Sequence, residues 1–256
     1  MLPIDHPRFR PAMQLIDNGQ VGKAIQNLDA LIVHLSPEDR VGALYWKVVC
    51  LIRLGEVRQA RTCLEEALIQ ASICNSLRIC LQLQSAYLHA DEEGPEEAAA
   101  EIRSLLNRCA KQFSTPDFFW QYVDAKRYLG WCLSNIGHYS EAIKELEQAL
   151  SLEPRPGARY STDLWLSNAY YRSGDLAKAR DHLERALIDA QSAPKVQLPP
   201  DHPAFIRYGL ALIAYKQHRL SDAEGQLELA SAVAQEPKIL RDITKLKSLL
   251  DQAHPA

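Results

Sequence analysis

The chain lacks any run of about 20 consecutive apolar residues, the length an α-helix needs to cross a bilayer, so no membrane-spanning helix is expected. Its first residues, from Met1 to Arg8, carry neither the positive start nor the apolar stretch of a secretory signal, and a cytoplasmic location is expected. Cys50, Cys63, Cys74, Cys80, Cys109 and Cys132 include no Cys-x-x-Cys pair. That excludes the spacing of a zinc clip or a dithiol redox centre and leaves reduced packing residues. Charge of one sign is also scarce. The formal net charge is −3 and there is no basic run able to neutralise many phosphates, so nucleic acid is not expected as the main ligand.

Signatures of chemistry are missing as well: there is no H-E-x-x-H, no glycine-rich phosphate loop and no G-x-S-x-G turn. The histidines are scattered. His6 and His202 share an Asp-His-Pro context, in which Asp5 and Asp201 read as helix caps beside proline. Cys50 and Cys132 fall at equivalent places with no basic neighbour to activate a thiolate. No catalytic residue, metal site or cofactor is therefore expected.

What the chain does have is a repeated phrase: glycine, an apolar residue two positions on, alanine at five, leucine at nine, alanine or leucine at twelve. It reads Gly19, Val21, Ala24, Leu28, Leu31, then Gly55, Val57, Ala60, Leu64, Ala67. It returns as Gly137, Tyr139, Ala142, Leu146, Ala149 and as Gly174, Leu176, Ala179, Leu183, Ala186. A last copy keeps Leu220, Ala223, Leu227 and Ala230 but puts His218 at the glycine position. The marker alanines Ala24, Ala60, Ala98, Ala142, Ala179 and Ala223 are 36, 38, 44, 37 and 44 residues apart. Self-similarity at this period predicts stacked helical hairpins, none of which can bury its apolar face alone.

Each part of the phrase has a mechanical reason. A helix that stops and reverses needs a left-handed residue just past its end, where a side chain clashes. Alanine belongs where two helices cross closely, because a larger side chain would force the backbones apart. First helices carry apolar residues at three- and four-residue spacing, as in Leu44, Val48 and Leu51. The third unit is irregular: Gly94 ends one helix, Pro95 opens the next, and Glu96 and Glu97 favour its positive end. Ser36, Thr115 and Asp201, each beside a proline, are expected caps, and longer connections are expected over 112–117 and 192–201. A last helix over about 238–252 should turn Ile239, Leu240, Ile243, Leu246, Leu249 and Leu250 to one side and cap the stack.

With the phrase laid out, the chain resembles the tetratricopeptide-repeat family. The fourth unit has Leu129, Gly130, Leu133, Gly137, Tyr139, Ala142, Leu146, Ala149 and Pro154 at the family's signature points, with Lys126 where tryptophan is frequent. The fifth supplies Leu166, Ser167, Tyr170, Gly174, Ala179, Leu183 and Ala186. The resemblance implies an all-α, right-handed α-solenoid forming a single domain over 1–256. Its repeats are placed at about 5–37, 41–74, 79–113, 123–156, 160–193 and 204–237. The segment 198–203 is similar to the entry of the longer repeats in kinesin light chain-like bacterial proteins.

The resemblance also implies that first helices line a concave groove that binds another protein. Aligned units place Tyr45, Tyr87, Arg127, Trp131, Asn168, Tyr171, Arg172, Tyr208 and Tyr215 there, with Phe9, Met13, Val49 and Lys216 beside them. Tyrosine, tryptophan and arginine combine a large contact area with a polar tip, and Arg127, Asn168 and Arg172 suit a peptide carboxylate or backbone. The clamp of chaperone-binding members is not reproduced, since Phe9, Tyr45 and Leu83 replace a basic residue and Met13, Val49, Tyr87 and Trp131 an asparagine. The expected function is a non-enzymatic adaptor for a partner peptide or helix. The alternatives are a peptide-sensing regulatory module and, less favoured, an enzyme on a helical scaffold. Self-association through a terminal apolar edge, giving a homo-oligomer, stays open.

Overall fold

The structure, a computed structural model, describes residues 7–71, 75–92, 94–153, 156–192 and 202–253. Among them are fourteen α-helices, two short 3-10 turns and no strand. The chain divides into two compact units, Met1–Ile136 and Gly137–Ala256, and the division falls inside the fourth sequence repeat.

The first unit contains α1 (Arg10–Asp17), α2 (Val21–Ile32), α3 (Pro37–Arg53), α4 (Val57–Gln70), α5 (Asn75–Glu92), α6 (Pro95–Arg108), the single turn α7 (Ala110–Phe113) and α8 (Phe119–Asn135). Consecutive helices pack as hairpins, α1 on α2, α3 on α4 and α5 on α6. Phe9, Ala12, Ile16, Ala24, Leu28, Ala43 and Cys50 form one core cluster. Phe9, expected beside the groove, is fully buried there. Lys47 of α3 reaches Asp29 of α2 at 2.6 Å, an ion pair on the rim of that core.

The second unit contains α9 (Tyr139–Leu152), α10 (Pro156–Ser173), α11 (Leu176–Ser192), α12 (His202–Lys216), α13 (Leu220–Ser231) and α14 (Pro237–Ala253). Here α10 pairs with α11 and α12 with α13, while α14 packs on both α12 and α13. Leu146, Leu166, Ala179, Ala186 and Ile206 share one core cluster; Ala211, Ala223, Leu227, Ile239 and Ile243 belong to another. Burying a side chain such as Leu146 contributes about 1.5–3 kcal/mol.

The repeat phrase acts as its chemistry requires. All six marker alanines, Ala24, Ala60, Ala98, Ala142, Ala179 and Ala223, are fully buried. Four reversals are closed by the same long hydrogen bond: Gln20 N–H to Leu15 O at 2.8 Å, and Glu56 to Leu51, Asp175 to Tyr170 and Arg219 to Ala214, each at 2.9 Å. This is the bond of a Schellman cap, which requires a left-handed residue one position earlier. Gly19 (φ 69°), Gly55 (φ 73°) and Gly174 (φ 92°) supply it, and His218 adopts it at φ 58° despite its side chain.

Local expectations hold in part. Ser36 caps α3 by accepting from the Asp39 N–H at 3.3 Å, and Gly94 and Pro95 open α6 with Glu96 and Glu97 in its first turn. Thr115 does not cap forward; its hydroxyl donates back to the Gln112 carbonyl at 2.7 Å, because a carbonyl at the end of α7 is within closer reach. The connection over 112–117 is partly helical, holding the end of α7 and the 3-10 turn Pro116–Phe118 begins in it. Asp5, His6 and residues 193–201, including the Asp201 cap and the start of the 198–203 segment, lie outside the described residues. In α14, Ile239, Ile243, Leu246 and Leu250 are buried, but Leu240 and Leu249 face solvent. The 3.6-residue turn places them off the narrow stripe that α12 and α13 cover.

Candidate functional site

In the first unit, three aromatic rings gather where α5 meets α8. Tyr87 lies 4.7 Å from Tyr128 and 5.8 Å from Trp131, centroid to centroid. Arg127 lies over Tyr128, its guanidinium carbon 5.3 Å from the ring centroid, and the guanidinium pairs with Asp124 at 2.9 Å with only 12% of the side chain exposed. Of the expected groove residues, Tyr87, Arg127 and Trp131 are thus brought together, with Arg127 already holding a carboxylate of its own helix. Tyr45 packs edge-on against Trp46 at 5.5 Å. Tyr128, which sequence alignment did not single out, completes the cluster.

In the second unit, a cleft of about 640 Å³ opens between α10 and α12. Asn168, Tyr171 and Arg172 of α10 form one wall and Lys216 of α12 part of the other; Leu164, Phe205 and Leu212 supply apolar surface. Asn168 and Arg172 are exposed. The Lys216 ammonium sits 4.4 Å from the centre of the Tyr171 ring, a contact that holds a cation at the mouth. At Gly209 an added Cβ would come within 2.9 Å of a Leu183 methyl, so bare backbone forms part of the floor. Tyr208 and Tyr215 are half-buried against the core of α12, α13 and α14 and do not line this cleft. Burial, then the nearby Asp242 carboxylate and Tyr171, push the Tyr208 hydroxyl above its ordinary range.

A second cleft in the same unit, of about 530 Å³, lies on the other helix layer, between α9 and α11. His182 Nδ1 meets Asp163 Oδ1 at 2.7 Å, and both residues are buried. An ionised carboxylate can only accept, so Nδ1 carries the proton. The Tyr170 ring stacks on His182 at 5.4 Å and its hydroxyl donates to Glu147 at 2.5 Å. Burial and that carboxylate raise the Tyr170 hydroxyl above its ordinary range. Sequence reasoning missed this group, because Asp163 and His182 stand 19 residues apart on different helices and no short motif joins them.

These features define a protein of stacked helical hairpins with clefts on both helix layers. Residues 137–198 match the family model of the tetratricopeptide repeat, which bears out the resemblance carried by the repeat phrase. In fold the chain is similar to the APC/C hetero-tetramer Cut9-Hcn1, with TM-score 0.72 at 15% identity over 94% of this chain and 44% of that one. It is also similar to the apo form of the quorum sensor NprR from B. thuringiensis, with TM-score 0.67 at 15% identity over 97% of this chain and 70% of that one. A third likeness is to BtubC (BKLC) from P. vanneervenii, with TM-score 0.57 at 17% identity over 98% and 95% of the two chains. At these identities the likeness is one of fold. The chain spans less than half the length of the Cut9-Hcn1 chain it matches. No curated protein matches the sequence.

Among the described residues, no helix is long and apolar enough to cross a membrane, and no group of three or more histidine, cysteine, aspartate or glutamate side chains is placed to hold a metal ion.

Proposed function

We propose that the chain is a non-enzymatic adaptor that binds an extended peptide segment of a partner protein in the cytoplasm, with the α10/α12 cleft as its principal site. The carrying observation is the pairing of exposed Asn168 and Arg172 with an apolar wall in one concavity. Asparagine pairs with a peptide amide at both edges and arginine forks onto a carboxylate, while the apolar surface takes a side chain. Tyr171 gives contact area at low entropic cost. The Tyr87, Tyr128 and Trp131 cluster, with Tyr45, is the corresponding contact surface of the first unit.

Affinity capture from the native cell tests this reading. Asn168→Ala combined with Arg172→Ala should lose the partner that the wild-type chain retains while helical content stays the same. Undiminished capture would reject the cleft as the site.

A peptide-sensing role is the second reading, favoured by the likeness to NprR, which has been solved in complex with its cognate peptide NprX. It requires the molecule to change dimensions on binding. A fall in radius of gyration in solution scattering when the captured segment is added as a peptide supports it; an unchanged radius leaves the static adaptor.

A further inference from the structure

The α10/α12 cleft has two unlike ends. Arg172 and Lys216 stand in the last turns of α10 and α12, and the Lys216 ammonium, 4.4 Å from the centre of the Tyr171 ring, puts both cations at one end. Leu164 stands eight residues before Arg172 and Phe205 lies in the first turn of α12, so the apolar surface extends toward the other end. Asn168 lies between them, about one turn from Arg172.

The cations are not engaged by the protein's own acids. No aspartate or glutamate lines the cleft among the described residues, and neither Arg172 nor Lys216 forms an ion pair there. Asp175, three residues past Arg172, turns to α11: it accepts from the Lys178 backbone N–H at 3.1 Å and pairs with the Lys178 ammonium at 3.6 Å. Asp242 of α14 acts on the Tyr208 hydroxyl and forms no ion pair with either cation. The carbonyl ends of α10 and α12 favour cations at these positions without neutralising them, since a helix end carries only about half a charge.

Two cations with no acid opposite, beside an apolar surface, suit a partner that brings the acid itself. Resting on the peptide-site reading above, we propose that the bound segment carries an internal aspartate or glutamate at the end held by Arg172 and Lys216, with a large apolar residue about three or four positions away. The spacing follows from two rises. Eight residues of α10 span about 12 Å, which an extended chain covers at roughly 3.3 Å per residue. An internal acid fits better than a C-terminal carboxylate, because Asn168 then pairs with the main chain that continues between the acid and the apolar anchor.

Selection on the full chain from a random peptide library, fused through its C-terminus so that no peptide has a free terminal carboxylate, tests this. Wild type should enrich peptides in which Asp or Glu stands at that spacing from Leu, Ile, Met or Phe. Arg172→Gln with Lys216→Gln, both exposed changes, should keep the apolar preference and lose the acidic one. A fluorescein-labelled peptide of the enriched sequence, read by anisotropy, should bind wild type about tenfold more weakly once its acid is changed to the amide, and the double variant should bind both forms alike. Enrichment of neutral or basic peptides, or of the same acidic peptides by the double variant, overturns the proposal and leaves the peptide site standing. No enrichment by wild type rejects the two together.

Discussion

At the scale of the residue, His218 is the clearest departure from the repeat chemistry. A left-handed conformation costs a residue with a Cβ roughly 1–2 kcal/mol, against about 0.5–1 kcal/mol of extra chain entropy lost by glycine. His218→Gly should therefore raise stability by roughly 0.5–1 kcal/mol, seen as a higher urea midpoint at an unchanged slope. A lower midpoint would mean that the imidazole makes a compensating contact.

The cysteines allow a second test at this scale. Burial pushes the thiols of Cys50 and Cys63 up from 9.0 to about 11. A folded value above the unfolded one stabilises below pH 9, and that contribution disappears as pH rises toward 11. Between those limits, Cys50→Ala with Cys63→Ala should show a shallower loss of stability than wild type. In the native protein, half-buried Cys109 should be alkylated well before buried Cys50, Cys63, Cys80 and Cys132, as peptide mass spectrometry will show. The sequence predicted these buried thiols as packing residues because none stands in a Cys-x-x-Cys pair and all fall on or beside predicted helices. It had no means of finding Asp163 with His182, since that contact depends on how two helices face each other.

At the scale of the element, hairpins were legible because two signals agree: a glycine or its substitute at each reversal, and alanine at each close crossing. Ala142→Leu should force α9 away from its neighbours and cost about 1–3 kcal/mol, whereas Leu146→Ala, one turn on, should cost about 2–5 kcal/mol by opening a cavity. Chemical denaturation measures both; near-zero effects would mean that α9 is loosely packed. The width of the apolar stripe was harder to read. In α14, six apolar residues were assigned to one face, yet Leu240 and Leu249 remain in solvent because two neighbouring helices cover only a narrow band. Truncation after Ala234 should expose Leu227 and Ala230 and lower the melting temperature of the second unit. If melting is unchanged, α14 is no cap.

At the scale of the whole molecule, a single domain over 1–256 stands as a proposal beside the two contact-defined units. In repeat proteins, stability is shared between nearest neighbours. Met1–Ile136 and Gly137–Ala256, expressed separately, should each lose stability relative to the full chain; equal stability would establish independent domains. The sequence by itself determined the all-α class, the hairpins and the buried alanines, because helix ends and close crossings are set by residue types at fixed local spacing. Only the tertiary structure decided that His182 is locked to the buried Asp163, and that Tyr208 and Tyr215, aligned with the groove residues by the sequence, pack instead against the core of α12, α13 and α14. Those contacts join different helices, and they depend on packing angles that no spacing within one helix encodes.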